Sequence, residues 1–324
     1  MMRTTVVLPT HSGGPLLVES VRSVLSQQAD FVLHVIDDGH NPSTRAEIAA
    51  LEDPRIRYTL LPGSSLFRKL NHGFEVATDP WVKLWSDDDV MLPGCLARFA
   101  ERAAASPELG LLYCDFREID RTGAELPRNP VRARRAAQIP EICSGKLAAL
   151  IFWCFGCTPG NIATVMLRRD AWKSTGGFRE ALQMAGDFDQ WARVVEHYAV
   201  GFLREELVAV RAHPGQLSKN VEMLPANVAD TVEVVQHLEK LLAPVVSRRE
   251  ADHLWIRERG RHFFHCAVRA AVRGRPEVFG RCLQALRNHG PVWPSALWWL
   301  VTANGRLRGT PLEDVFAAKR AELT

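Results

Sequence analysis

Within its first ninety residues the chain alternates four times between a short β-branched or aromatic run and a stretch of helical periodicity. Thr4 to Leu8, Phe31 to Ile36, Ile56 to Leu61 and Trp81 to Trp85 read as buried strands. Between them, Leu16, Leu17, Val21, Val24 and Leu25 share one helix face, and Ser43 to Leu51 form a short helix with Ser43 as its cap. Leu66, Leu70, Phe74 and Ala77 mark a third helix. Parallel neighbours need a crossover connection, and a helix supplies it, so this alternation predicts a parallel, doubly wound α/β sheet. In such a sheet ligands bind in the crevice beyond the carboxyl ends of the strands. The second and fourth runs both end there in acid, as Asp37-Asp38-Gly39 and Asp87-Asp88-Asp89. No G-x-G-x-x-G follows the first strand and no G-x-x-x-x-G-K-[ST] occurs, which weakens a dinucleotide reading and excludes a P-loop.

Three consecutive carboxylates repel one another and are costly to bury unpaired. A positive partner is expected at Asp87, Asp88 and Asp89. A hard divalent cation suits such oxygen ligands, commonly Mg²⁺ or Mn²⁺ with a phosphate completing the shell. The alternative is a solvated acidic turn or helix N-terminus, where Asp is ordinary.

The chain then continues with a helix at Cys95 to Ala105 and a strand at Leu109 to Phe116. From Asp120 to Ile142 it is basic and proline-interrupted, as in RNPVRARRAAQ, and reads as a long loop of the kind that often forms a lid. Asn161 to Leu167 is a further strand, and a short helix beginning at Asp170 stops at Gly176-Gly177. In residues 184 to 198, Phe188, Trp191, Ala192 and Val195 face one way on a helix whose first turn carries Asp187. The helix dipole alone favours a carboxylate there. Leu207 to Arg211 is a strand, followed by His213 in a turn. From Leu224 onward only helical periodicities remain, so residues 1 to 222 are expected to form the α/β domain and residues 223 to 324 an all-helical appendage.

A net charge of +3 gives no reason to expect nucleic acid as a partner of the whole chain. Seven scattered cysteines fit free thiols in a reducing cytoplasm, and Cys154-x-x-Cys157 lacks the second pair that a zinc site needs. The chain enters a strand almost at once, so no secretory leader is expected. No run of about eighteen apolar residues spans a bilayer. The nearest, PVWPSALWWLVTA at 291 to 303, reads as a buried helix, with an interfacial anchor through Trp293, Trp298 and Trp299 as its alternative.

Taken together, VVLPTHSGGPLLVESVRSVLSQ, VIDDG, NHGFEVATDPWVKLWSDDDVMLP, IATVMLRRDAWKSTGGF and GDFDQWARV resemble, in order, the motifs of a family 2 glycosyltransferase of the GT-A fold over residues 4 to 218. The resemblance implies a Rossmann-like, mostly parallel sheet flanked by helices and a nucleotide-diphosphate sugar (UDP, GDP or dTDP) as donor. It implies that Pro9, Thr10 and His11, with Asp37 or Asp38, hold the nucleoside. Asn71, Asp87, Asp88 and either Arg68 or Lys69 are implied on the remainder of the nucleotide sugar. Counting back from Pro93, Asp88 matches the second Asp of the family's D-x-D and is the implied metal ligand. Ser86 replaces the first Asp, leaving Asp87 or Asp89 for the other acidic role, and His213 matches a further metal or diphosphate contact. Asp187 matches the catalytic base, although Gly186 stands where the family has a second acid, and Asp189 is expected to brace the helix.

The implied activity is metal-dependent, inverting transfer of a sugar to a hydroxyl of a glycan, a lipid-linked glycan or another acceptor, in surface polysaccharide synthesis. The expected location is the cytoplasm or the inner membrane face, with peripheral membrane contact or homo-oligomerisation through the helical region. Competing readings are a sugar nucleotidyltransferase, which would want a basic loop where THSGGP stands, and a catalytically silent nucleotide-sugar-binding or assembly subunit, kept open by Ser86 and Gly186.

Overall fold

The computed structural model describes residues 2–213, 215–216, 219–288, 292–302 and 312–323. The chain divides into two compact units, one of Met1–Ala148, Cys157–Glu180 and Arg193–His213, the other of Ala149–Gly156, Ala181–Ala192 and Pro214–Thr324.

The first unit is built on a nine-stranded sheet. Its strands are β1 (Thr4–Thr10), β2 (Phe31–Asp37), β3 (Ile56–Leu60), β4 (Trp81–Leu84), β5 (Val90–Met91), β6 (Leu109–Ile119), β7 (Ile142–Cys143), β8 (Val165–Arg168) and β9 (Ala199–Arg211). The order is β3-β2-β1-β4-β8-β6-β9-β5, with β7 also on β9. From β3 to β4 every pairing is parallel, as the alternation predicts. Beyond β4 the sheet is mixed rather than mostly parallel. β8 lies antiparallel between β4 and β6, β6 and β9 are parallel, and β5 and β7 are antiparallel to β9. The chain winds outward from β1 through β2 to β3, then returns to place β4 on the other side of β1. That reversal is the topological switch point, where a crevice opens beyond the strand ends.

The helices Pro15–Leu25, Leu66–Val76 and Cys95–Ala105 cover the sheet with their apolar faces. Val6, Leu8, Leu33, Leu17, Val21 and Phe99 join one core cluster. In Leu66–Val76 the inward face carries Leu70 and Phe74, with Ala77 just after it, as expected; Phe67 is also buried, and Leu66 alone of the four expected residues is exposed. A Cβ on Gly73 would stand 2.4 Å from a Val7 methyl carbon, so this helix lies directly on β1. Gly73→Ala is therefore expected to destabilise the protein by about 1–3 kcal/mol through overpacking, read as a lower denaturation midpoint in urea at unchanged slope.

Several expectations change. Residues 120–142 are not one open loop, because Pro130–Ala136 is a helix capped by the Asn129 side chain. Arg132 donates to the Phe116 carbonyl (2.7 Å) with its guanidinium 3.7 Å from that ring's centroid, and Arg128 pairs with Asp115. These two arginines fasten the segment to β6. Ser43 occupies a helix N-cap position, but its hydroxyl donates to Asn41 and Glu47 rather than capping. The strand read at Asn161 to Leu167 begins as a 3-10 turn, Ile162–Thr164.

The second unit includes helices Leu224–Leu242, Arg248–Leu254, Gly260–Val272, Pro276–Arg287, Val292–Thr302 and Leu312–Arg320, with a π-helical turn at Trp255–Arg259. Val228, Val232, Trp255, Phe263 and Leu286 form one of its cores. Among the described residues no strand occurs after β9. The Trp-rich helix is not buried as expected. It covers Ser295 and Ala296 while Trp293, Leu297 and Leu300 stand exposed. Pro291 and Ala303 of that stretch lie outside the described residues.

Candidate active site

At the carboxyl ends of β1, β2 and β4 the first unit gathers a polar cluster. Thr10 ends β1, and its hydroxyl donates to Asp87 Oδ2 (2.8 Å), which also accepts from the His11 backbone N–H (3.3 Å). His11 Nδ1 lies 2.9 Å from Asp38 Oδ2, and its ring stacks on His40 at 4.1 Å. Buried Lys69 donates to the same Asp38 oxygen (2.6 Å) and to the Thr10 carbonyl (2.7 Å). Burial pushes the Asp38 carboxyl upward, but Lys69 and His11 outweigh it and hold the group below the usual carboxylate range. A carboxylate, an imidazole and an ammonium thus stand beside the Thr10–Asp87 pair.

Asp37 has a different task. Its oxygens accept from Tyr58 Oη (2.6 Å) and the Gly39 N–H (2.9 Å), and the side chain is buried. Burial and this acceptor push the Tyr58 phenol up to about 12, so the bond persists at any working pH. Asp37 shapes the turn, and Asp38 faces the cluster. Pro9 is buried inside β1, where its ring contributes shape and offers no N–H.

The Asp triplet splits by environment. Asp88 Oδ2 lies 2.9 Å from His213 Nε2. Burial raises the Asp88 carboxyl, His213 opposes that, and the Asp87 charge adds to it. Asp89 does not join them. It is 0% exposed, its Oδ2 accepting from Asn161 Nδ2 (3.0 Å) and its Oδ1 from the Arg211 N–H (2.8 Å). Burial and the neighbouring Asp88 push its carboxyl up to about 7. With both oxygens bound to protein donors it braces the strand end, which corrects its expected role as a metal ligand.

Arg211 completes the brace. Only 1% exposed, it donates from Nε to the Asp88 carbonyl (2.8 Å) and pairs with Glu19 (2.9 Å). Sequence reading passed over it, although a charge ending the apolar run LVAVR, two residues before His213, signals a side chain held for its charge.

Two further expectations are corrected. Every polar group of Asn71 is spent on packing: Nδ2 donates to Phe178 O (2.8 Å) and Glu180 (3.1 Å), and Oδ1 accepts from Phe178 N (2.8 Å) and Trp172 Nε1 (3.1 Å). It pins the helix Leu66–Val76 to the Gly176-Gly177-Phe178 turn and leaves nothing for a nucleotide. Arg68 pairs with Glu75 (3.2 Å) on the helix surface, so the inward cation is Lys69.

Asp187 belongs to the second unit and opens the helix Gly186–Val194. Burial pushes its carboxyl up to about 6 against the opposing Phe188 N–H. The turn before it is held by Asp230 of helix Leu224–Leu242, whose Oδ2 accepts from the N–H groups of Gln183 (2.9 Å), Met184 (2.7 Å) and Ala185 (3.2 Å). No local signal marks Asp230, because its partners lie more than forty residues away.

Among the described residues no three His, Cys, Asp or Glu side chains form a group able to hold a metal alone. Asp87 and Asp88 offer oxygen donors of the kind a hard cation takes when a diphosphate supplies its other ligands, as Mg²⁺ sites commonly do. The donors fit a shared ion rather than a closed protein site.

Residues 5–152 match the model of Glycosyl transferase family 2. The succinoglycan biosynthesis protein ExoO of Rhizobium meliloti (strain 1021) is 30% identical over 123 residues, which are 36% of this chain and 34% of ExoO. The chain spans about a third or less of the length of the first curated relatives it matches. The S. aureus TarS 1-349 structure in complex with UDP-GlcNAc superposes with a TM-score of 0.56 at 13% identity, covering 90% of this chain and 93% of that one. The mannosyltransferase PcManGT from Pyrobaculum calidifontis, in complex with GDP-Man and Mn²⁺, gives 0.54 at 15% identity, covering 98% and 84%. These likenesses establish the fold, a GT-A-like mixed sheet with a helical C-terminal region. The matched segment of the chain is thus similar to glycosyltransferase family 2, and its fold is GT-A-like.

Proposed function

We propose that this chain transfers a sugar from a nucleotide-diphosphate sugar to an acceptor hydroxyl, with a divalent metal and inversion at the anomeric carbon. The observation that carries the reading is the junction of Thr10, His11, Asp38 and Lys69 with Asp87 and Asp88 at the switch point of the sheet. Asp38 accepts from the base or ribose, with Lys69 and His11 holding it ionised and oriented. Asp87 and Asp88, with His213 beside Asp88, would hold a Mn²⁺ or Mg²⁺ ion. When bound, the metal supplies Lewis-acid stabilisation of charge on the leaving phosphate. Asp187 takes the acceptor proton as the hydroxyl oxygen bonds to the anomeric carbon, and the bond from that carbon to the diphosphate oxygen breaks. A single displacement of this kind inverts the centre.

In the neighbouring structures TarS is in complex with UDP-GlcNAc, and PcManGT with GDP-Man and Mn²⁺, which supports a nucleotide-sugar donor and a metal. The name of ExoO supports a role in polysaccharide synthesis. We assign residues 1–222 to the transferase domain and the reaction to the cytoplasmic side. Among the described residues no helix is long and apolar enough to cross a membrane.

Thermal unfolding with UDP-, GDP- and dTDP-sugars, with and without Mn²⁺, tests the reading. One nucleotide class is expected to raise Tm, and to do so much more strongly with the metal. At a hundredfold excess over Kd, linkage contributes about 2.7 kcal/mol, a shift of several degrees. Stabilisation without turnover of any donor would instead favour the silent binding subunit.

A further inference from the structure

Among the described residues, the contacts of the helix Val292–Thr302 run along one side. Trp299 donates from Nε1 to His265 Nδ1 (2.9 Å) and meets the Phe264 ring edge-on at 5.5 Å, while the Arg257 guanidinium lies 4.6 Å from the centre of a Trp298 ring. Ser295 and Ala296 are buried. With that side held, Trp293, Leu297 and Leu300 stand 76%, 64% and 63% exposed at four- and three-residue spacing, an apolar stripe along one face. Val301 borders it.

The sequence around this helix is strongly cationic. Between residues 257 and 308 there are ten arginines, no lysine, and only Glu258 and Glu277 as acids. That is a net +8 in a chain whose total is +3, so the rest of the protein is net negative. Arg269, Arg273, Arg281 and Arg287 have exposed side chains.

We infer that the Trp293–Leu297–Leu300 face, with its arginine-rich flanks, docks on an anionic lipid bilayer. An exposed apolar stripe carrying tryptophan, flanked by basic residues, is the composition of a helix lying in the membrane interface. Its tryptophan sits at headgroup depth and its arginines meet lipid phosphates. Eleven residues rise about 16 Å, roughly half the hydrocarbon thickness, so the helix lies on the surface and does not span it. A second copy of the chain is the poorer occupant, because self-pairing would set the same positive excess against itself. The inference concerns the second unit alone and holds whatever the donor is.

Sedimentation of the full chain with phosphatidylcholine vesicles and with mixed phosphatidylcholine–phosphatidylglycerol vesicles tests it. Partition onto the anionic vesicles is expected to exceed that onto the neutral ones at least about tenfold. It should collapse in about 1 M salt, where the Debye length is about 3 Å. Leu297→Glu and, separately, Trp293→Ser are expected to lower partition about tenfold or more at unchanged Tm, since both side chains are exposed. Arg273→Gln with Arg287→Gln, both exposed, lowers it while leaving the stripe residues unchanged. Equal sedimentation with both vesicle types, or with neither, overturns the inference. Leu297→Glu converting an oligomer to a monomer while leaving vesicle partition unchanged also overturns it and assigns the face to a second copy.

Discussion

Asp187→Asn is expected to leave nucleotide-sugar binding intact, with the donor-induced rise in Tm unchanged, and to lower transfer by about 10²–10⁴-fold, the usual contribution of a positioned general base. Asn keeps the oxygen that accepts the Phe188 N–H (2.7 Å), so the helix start survives the change. The pH dependence carries the sharper test. Burial pushes the Asp187 carboxyl up to about 6, so the group is a proton acceptor only above that pH. Wild-type transfer should rise as pH increases through about 6 and then level off, and this limb should vanish from the residual activity of the variant. Stability runs the other way. A carboxyl raised above its unfolded value binds its proton more tightly when folded, so stability falls as pH rises from the unfolded value toward the folded one. Removing the charge relieves that penalty, so above pH 6 the variant should be no less stable than the parent. An inactive variant with a depressed Tm would indicate damage to the fold. A variant retaining most transfer removes Asp187 from the role.

The parallel half of the sheet was legible because its cause is local. Each strand is a β-branched run and each crossover a helical stripe, so residues 4 to 85 carry their own topology. The cluster at the switch point was legible in part for the same reason. Thr10, His11, Asp38 and Asp87 sit at strand ends, which periodicity locates. Local pattern says nothing about which residue of a turn or helix points inward. One helical step separates Arg68 on the surface from buried Lys69. Asn71 looked like a ligand because an amide can serve a nucleotide as well as it serves a glycine turn a hundred residues away. Asp89 differs from Asp88 only through Asn161 and Arg211, which reach it from 72 and 122 residues further along. The Trp-rich helix is apolar on nearly all sides, so its composition could not tell which face is covered. Lys83 was hidden differently. It lies in the centre of β4, where its ammonium reaches the carbonyls of Leu84 (3.0 Å), Val165 (3.3 Å) and Ala163, a solution open only to a strand with a 3-10 turn beside it.

The division within the triplet predicts opposite outcomes for neighbouring substitutions. Asp88→Asn keeps the shape of the side chain and a group facing His213, but removes one of the charges offered to the cation. Transfer is expected to fall about 10²–10³-fold, the loss typical of deleting one electrostatic contact to developing charge. The Mn²⁺-dependent part of the donor-induced Tm rise should disappear, with the Tm of the unliganded protein little changed. Asp89→Asn strikes the brace instead. Its two oxygens accept from two fixed donors, and an amide has only one oxygen to offer. Asn161 cannot compensate by turning over, because its own oxygen accepts from the Ala163 N–H (2.8 Å). A donor is then left facing an NH₂ group at a fully buried site, which destabilises by about 1–3 kcal/mol. Unliganded Tm should therefore drop for Asp89→Asn, and metal should still stabilise the folded fraction in the presence of donor. If both variants lose metal dependence at unchanged Tm, the triplet acts as one ligand set and Asp89 must turn outward to join it. If neither does, the cation lies elsewhere and the acidic strand end serves the fold alone.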